Sequence, residues 1–141
     1  GTGGGILNAL ELLGDKPFML INADIYHNIN LTALNADVKV AHLVGVRNPD
    51  HNPKGDFSLE NNLVCVKSES NDFTWSGISI INPKIFDELE PQKMPFDIWH
   101  KVLMQFINNK DVTAEISEDI WIDTGTIDRL ELANKTHKDE N

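Results

Sequence analysis

The sequence predicts a layered α/β fold built on a mostly parallel sheet, and three observations carry that prediction. Short apolar runs rich in β-branched residues alternate along the chain with segments whose apolar residues recur at helical spacing. Two of these runs lead to a single acid, Asp24 after "PFMLINA" and Asp123 after "IWI", at the kind of strand end where open sheets of this class collect ligands. The composition, 40% hydrophobic and 24% charged over 141 residues, suits one globular domain with a real core.

The elements follow in order. After an opening "GTGGG", Ile6, Ala9, Leu10 and Leu13 fall on one face of a helix that Gly14 stops. The chain has no initiator Met at this point, so it reads as the middle of a protein. "PFMLIN" (17–22) suits a strand buried on both faces, "LTALNAD" a short helix, and "VKVAHLVGV" (38–46) a second buried strand. "RNPDHNPKGD" (47–56), with two prolines and a glycine, must be a loop. "FSL" and "LVCV", separated by "ENN", form a small hairpin, and "FTWSGISII" (73–81) is a strand with a glycine inside it. Pro83 opens a helix in "NPKIFDEL". "FDIWHKVLMQFINN" (96–109) places Ile98, Val102 and Phe106 on one helical line and Trp99, Leu103 and Ile107 on the next. "VTAEIS" and "IWI" are short strands, "TIDRLELAN" a closing helix, and "KTHKDEN" a polar tail.

Net charge excludes some classes of partner. At −10 the chain lacks the clustered Lys and Arg that a nucleic-acid backbone requires, and the same acidity disfavours an anionic membrane surface. No apolar stretch approaches the length of a bilayer span, and no charged leader with an apolar core opens the chain; the expected location is cytoplasmic. Cys65 is alone, so no internal disulfide exists, and its apolar setting "NLVCV" reads as a buried structural thiol. The five histidines, His27, His42, His51, His100 and His137, show no zinc-ligand spacing, and no serine sits in a nucleophile elbow.

Asp24 and Asp123 admit two readings. Two carboxylates converging at strand ends could ligate Mg2+, which takes one or two carboxylates and completes its shell with water and phosphate oxygens. Alternatively, Asp123 faces the dipole of the following helix and Asp24 caps a turn. "TGGG" before a helix offers close backbone approach and free N–H groups, but its spacing matches neither a phosphate loop nor a dinucleotide fingerprint, and a flexible remnant is the alternative. The glycines of "KGDF" and "WSGI" permit close approach by a ligand or, more simply, bulges and bends.

Taken together, "TGGGILNAL", "LLGDKPFMLINADIY", "NPDHNPKGDFSL", "FTWSGISIINPKIF" and "WIDTGTIDRLELAN" resemble, in order and rough spacing, the sugar-1-phosphate nucleotidyltransferases. Within that family the resemblance is to the N-acetylmuramate-1-phosphate uridylyltransferases and the mannose-1-phosphate guanylyltransferase-like proteins grouped with them. It covers nearly the whole chain. It implies a Rossmann-like α/β fold of the nucleotide-diphospho-sugar transferase type and a reaction in which UTP or GTP and a sugar 1-phosphate give a nucleotide sugar and pyrophosphate. It further implies that Asp24 and Asp123 are the catalytic, Mg2+-binding acids, which favours the metal reading. Thr2, Gly3 and Gly4 match positions against the nucleobase, and Asn22, Gly55, Ser76 and Gly77 match positions near the sugar or its phosphate. Residues 1–135 are then the C-terminal portion of one nucleotidyltransferase domain and 136–141 a polar tail.

One departure accompanies the match. The family's glycine-rich loop with its Arg and following Pro-Lys pair precedes the "TGGG" segment, and nothing in these 141 residues supplies it. The expectation is a C-terminal portion, lacking the first strands and silent on its own. Oligomeric state is left open. Two other readings stand beside this one. The chain could be a non-catalytic remnant or assembly module pairing a sheet edge with another subunit. It could also be a nucleotide-sugar-dependent glycosyltransferase, although the D-x-D motif common there is Asp24-Ile25-Tyr26 here.

Overall fold

The computed structural model describes residues 14–34, 37–87, 97–125 and 127–140. Eight strands are present among them: β1 (Phe18–Ile21), β2 (Ile25–His27), β3 (Ala41–Arg47), β4 (Ser58–Glu60), β5 (Leu63–Cys65), β6 (Phe73–Ile81), β7 (Val112–Ile116) and β8 (Trp121–Asp123). Six form one mixed sheet in the order β1-β6-β3-β7-β5-β4, while β2 and β8 form a separate two-stranded ribbon. β6 lies antiparallel between β1 and β3, β3 pairs parallel with β7, and β5 runs antiparallel to both β4 and β7. Thus β1, β3, β4 and β7 share one direction, and the expected layered α/β architecture holds. β5 and β6 run the other way, so β3–β7 is the one parallel pair among the five neighbouring pairs in the described sheet, and strand periodicity alone could not place these two reversals.

The long strands form where the sequence is richest in β-branched and aromatic residues. β6 spans the nine residues of "FTWSGISII", all buried from Ser76 onward. The β4–β5 hairpin turns on Asn61 and Asn62, with φ of 52° and 68°, a left-handed pair that asparagine tolerates and tight hairpins need. One sheet face carries Ala41, Leu43, Ile81, Val112 and Ala114. Against it packs a helical segment whose π-helical turn (Trp99–Leu103) continues into α1 (Met104–Asn108), contributing Val102, Leu103 and Ile107. Phe57 completes this cluster. On the opposite face Val44 and Ile78 meet Ile29, with Ile25 and Trp121 of the ribbon packed around them.

Several expectations change. β1 lies at the edge of the sheet among the described residues, and Met19 and Ile21 on one of its faces are 38% and 40% exposed where burial on both faces was expected. "LTALNAD" yields only a 3-10 turn, Leu31–Ala33, started by the Asn30 side chain. Pro83–Phe86 is likewise a 3-10 turn, capped by Asn82, whose Oδ1 accepts from the Lys84 N–H. α2 (Ile127–Glu140) runs through most of the expected tail. Polarity there fixed exposure, not conformation: His137 and Lys138 in the last turn complement the negative end of the helix. β2 has no sequence signature and exists by pairing with β8. The helix expected over 6–13 lies outside the described residues. No described helix is long and apolar enough to cross a membrane.

One buried polar atom is out of place. Ser79, fully buried on β6 between Leu20 and Leu43, has no hydrogen-bond partner for its Oγ among the described residues. Ser79→Ala should therefore leave stability unchanged or raise it by up to about 1 kcal/mol. Urea unfolding measures this, and a loss of more than about 1 kcal/mol would mean that the hydroxyl is satisfied.

Candidate active site

Two acids distant in sequence meet through the ribbon. β1 leads through Asn22 and Ala23 to Asp24, and β2 begins at the next residue. β2 pairs antiparallel with β8 so that Ile25 stands opposite Asp123. The Thr124 N–H donates to the Asp24 carbonyl at 2.7 Å, closing the end of the ribbon. Both carboxylates face the turn at Gly125. Asp123 Oδ1 and Asp24 Oδ2 lie 3.0 and 3.5 Å from the point where a Cβ on that glycine would sit. A side chain at residue 125 would intrude on the space the acids share.

Asp123 is the more constrained of the two. Its Oδ1 accepts the Gly125 N–H at 2.8 Å, so the turn-capping role expected as an alternative is real and coexists with the convergence on Asp24. Its Oδ2 is approached by His51 Nε2 at 3.3 Å and Arg129 Nη2 at 3.5 Å. Arg129 Nε also donates to the Asp123 carbonyl at 3.0 Å. Asp24 is exposed, and its carboxylate makes no hydrogen bond or ion pair among the described residues.

The acids open onto a cleft of about 340 Å³ lined by Asn22, His51, Asp56, Ser76 and Trp121 among others. A neighbouring cavity of about 670 Å³, bounded by Pro49, Ile122, Arg129 and Leu132, shares His51, Trp121 and Asp123 with it. The indole N–H of Trp121 donates to the Ser76 carbonyl at 2.8 Å, which seats the ribbon on β6. Ser76 Oγ accepts the Ile78 N–H, so this hydroxyl is engaged within its own strand. Ser76 and Gly77 form a bulge: opposite β3 the pairing jumps from Gly45–Trp75 to Val44–Ile78. Gly77 has φ of 84°, and the Asn22 side chain occupies the space beside it.

Of the residues singled out in the sequence, Asn22, Asp24, Ser76 and Asp123 thus line one cleft, with Gly77 shaping its wall. Gly55 does not line that cleft. It lies in an adjoining cavity with Asp56, Trp75, Asp97, Trp99 and His100, and its N–H is spent on the Asn52 carbonyl at 3.1 Å. Thr2, Gly3 and Gly4 lie outside the described residues. Sequence reasoning missed His51, Arg129 and Asp56. Each acts through a partner that no local pattern reveals, although the asparagines flanking His51 hint at a fixed loop.

The cleft carries three acids, Asp24, Asp56 and Asp123, a field that repels phosphate. Asp56 is committed, its Oδ2 accepting the Trp75 N–H and its Oδ1 the Asn52 amide. Asp24, whose carboxylate is exposed, and Asp123, whose oxygens are also contacted by Gly125, His51 and Arg129, supply hard oxygens of the type that Mg2+ takes. Among the described residues no cluster of three or more His, Cys, Asp or Glu side chains could hold a metal ion. Cys65 is remote from this chemistry and half-buried, lining a small cavity beside α1. Burial, then the Glu60 carboxylate, pushes its thiol up from the ordinary value.

No family model matches the sequence. The chain is 35% identical over 140 residues to the N-acetylmuramate alpha-1-phosphate uridylyltransferase of Neisseria meningitidis serogroup B, an alignment covering 94% of this chain and 60% of that relative. Its fold is similar to a structure assigned to a glucose-1-phosphate thymidylyltransferase from Bacillus anthracis in complex with sucrose. The TM-score is 0.81 at 18% identity, over all of this chain and 62% of that one. HddC from Yersinia pseudotuberculosis complexed with GMP-PN is similar with a TM-score of 0.73 at 22% identity, over 97% of this chain and 62% of that one. The resemblance expected from five segments is therefore present in sequence and in fold, and the chain spans about 60% of the length of the relatives it matches.

Two measurements test this geometry. Gly77→Ala forces a Cβ to within 2.7 Å of Asn22 Nδ2 in a left-handed backbone, and should cost about 1–3 kcal/mol of stability in urea unfolding. An unaffected midpoint would contradict the bulge. Because a raised pKa means less thiolate at any given pH, alkylation of Cys65 should rise at higher pH in the folded than in the urea-unfolded protein. Superimposable pH profiles would contradict that shift.

Proposed function

We propose that the full-length protein containing this chain transfers a nucleotidyl group from UTP or GTP to a sugar 1-phosphate, releasing pyrophosphate, and that Asp24 and Asp123 hold the catalytic Mg2+. The observation that carries this reading is the convergence of two carboxylates across the β2–β8 ribbon, at the mouth of a cleft otherwise hostile to phosphate. The 35% identity to a uridylyltransferase supports the reaction class, and makes UTP with N-acetylmuramate 1-phosphate the first substrate pair to assay.

A phosphate oxygen of the sugar 1-phosphate attacks the α-phosphorus of the triphosphate. The bond from that phosphorus to the bridging oxygen of the leaving pyrophosphate breaks with its electron pair. No protein nucleophile or proton relay is needed, so the chain's residues act by positioning. Bound Mg2+ supplies neutralisation of the phosphate charge. Asp123, braced by Gly125, Arg129 and His51, sets one side of the cation site, and the less constrained Asp24 adjusts on the other. Trp121 walls the cleft and excludes water from one side, while Asn22 and the Ser76–Gly77 bulge shape the floor on which the sugar phosphate rests. Thr2, Gly3 and Gly4 are assigned to the nucleobase, and Gly55 to the outer rim of the sugar site. The 141-residue chain alone is expected to be silent.

The test is pyrophosphate release by full-length protein with Mg2+, UTP or GTP, and candidate sugar 1-phosphates. Asp24→Asn and Asp123→Asn should each lower kcat by about 100-fold or more, with a folded circular-dichroism spectrum. Turnover within a few-fold of wild type in both variants would remove the two acids from the mechanism.

A further inference from the structure

We propose that His51 is a positioning residue for Asp123, fixing the rotation of its carboxylate so that the acid presents itself toward Asp24. The inference rests on the reading of Asp24 and Asp123 as the ligands of a divalent cation, and it assigns to the 47–56 loop a job in that site.

The contact itself is direct, His51 Nε2 standing 3.3 Å from Asp123 Oδ2. That places an imidazole nitrogen in polar contact with the carboxylate oxygen not taken by the Gly125 N–H.

The loop is fixed far beyond what joining β3 to β4 requires. Asn48 Nδ2 donates to the Asn71 carbonyl at 2.8 Å, and Asn48 Oδ1 accepts from Thr74 Oγ1 at 2.8 Å. Asn52 Nδ2 donates to Thr74 Oγ1 at 3.0 Å and to Asp56 Oδ1 at 3.1 Å. The Asn52 N–H reaches the Pro49 carbonyl, and the Gly55 N–H reaches that of Asn52. Residues on both sides of His51 are thereby tied to β6 and to each other. A loop serving only as a connector would be free to vary. Here its rigidity holds one imidazole nitrogen beside one carboxylate oxygen.

The asymmetry of the two acids completes the case. Asp123 is held at Oδ1 by its own turn and at Oδ2 by groups from the loop and from α2. Arg129 approaches Oδ2 from α2, and His51 adds a second polar contact to the same oxygen from a separate, hydrogen-bonded loop. Partners of this kind around a ligating carboxylate typically change metal affinity 10–100-fold when removed.

The experiment titrates Mn2+ into full-length protein and follows the free ion by electron paramagnetic resonance, alongside steady-state kinetics. His51→Ala and His51→Phe should each weaken Mn2+ binding about tenfold. His51→Gln, which keeps a polar nitrogen on a side chain of similar reach, should recover part of the loss. KM for the sugar 1-phosphate should change less than kcat. Asp123→Asn is the reference. If it loses Mn2+ while His51→Phe binds as wild type, the positioning role is wrong and the metal reading stands. If Asp123→Asn itself binds as wild type, the metal reading falls first. A pure loss of thermal stability in the His51 variants, with unchanged Mn2+ affinity, also overturns the proposal.

Discussion

The register of a three-residue ribbon is the constraint on which the site depends. Asp24 and Asp123 meet because Ile25 lies opposite Asp123 and the Thr124 N–H closes on the Asp24 carbonyl. Side chains alternate across a strand, so a slip of one residue would turn Asp123 to the other face of the ribbon. Two short strands are marginal by themselves in water. What fixes them is tertiary: Trp121 donates to the Ser76 carbonyl, and Ile25 and Trp121 pack on the Val44–Ile78–Ile29 cluster. Asn28 adds a double tie, its N–H donating to the Ile120 carbonyl and its Oδ1 accepting the Ile120 N–H. The second sheet face is small, but it is what sets the distance between the acids.

The large core on the other face has a different role. The packing of Val102, Leu103 and Ile107 on Leu43, Ile81 and Val112 makes the sheet stiff, and a stiff sheet gives the bulge at Ser76–Gly77 a fixed direction. That bulge lets the strand carry both a core residue, Ile78, and the carbonyl that anchors Trp121. Stability and site geometry thus share β6, with the glycine at residue 77 marking the crossing point.

How legible each part was follows from how local its cause is. β6 was readable over its full length because nine β-favouring residues need no partner to declare themselves. The Asn61–Asn62 turn was readable for the same reason. β2 was not, since "IYH" becomes a strand only by borrowing hydrogen bonds from β8. The edge position of β1 was equally hidden, because an apolar run does not say which of its sides finds a neighbour. Both acids were visible as strand-end carboxylates, and the resemblance joined them; the sequence could not show that Asp123 would also be braced by Arg129 and His51. Gly55 was visible only through its motif, while its N–H, its φ of 67° and the crowding by Asn48 and Asn71, which tie it into the loop's own architecture, needed the folded chain to be seen.

That architecture explains how so acidic a chain can hold a shaped site. Apolar packing specifies volume but is tolerant of small rotations, whereas a hydrogen-bonded network inside a low-dielectric environment specifies angles. Thr74, buried at the start of β6, is the node: its hydroxyl donates to Asn48 and accepts from Asn52, while the adjacent Trp75 N–H is taken by Asp56. The loop and the strand leading into the bulge therefore move together or not at all. Asp56 is used up in this network as an acceptor, which turns one of the three cleft acids from a competitor for cations into a structural anchor. The other two carboxylates are the pair the ribbon brings together, and the same network that engages Asp56 is the one that holds His51 beside Asp123.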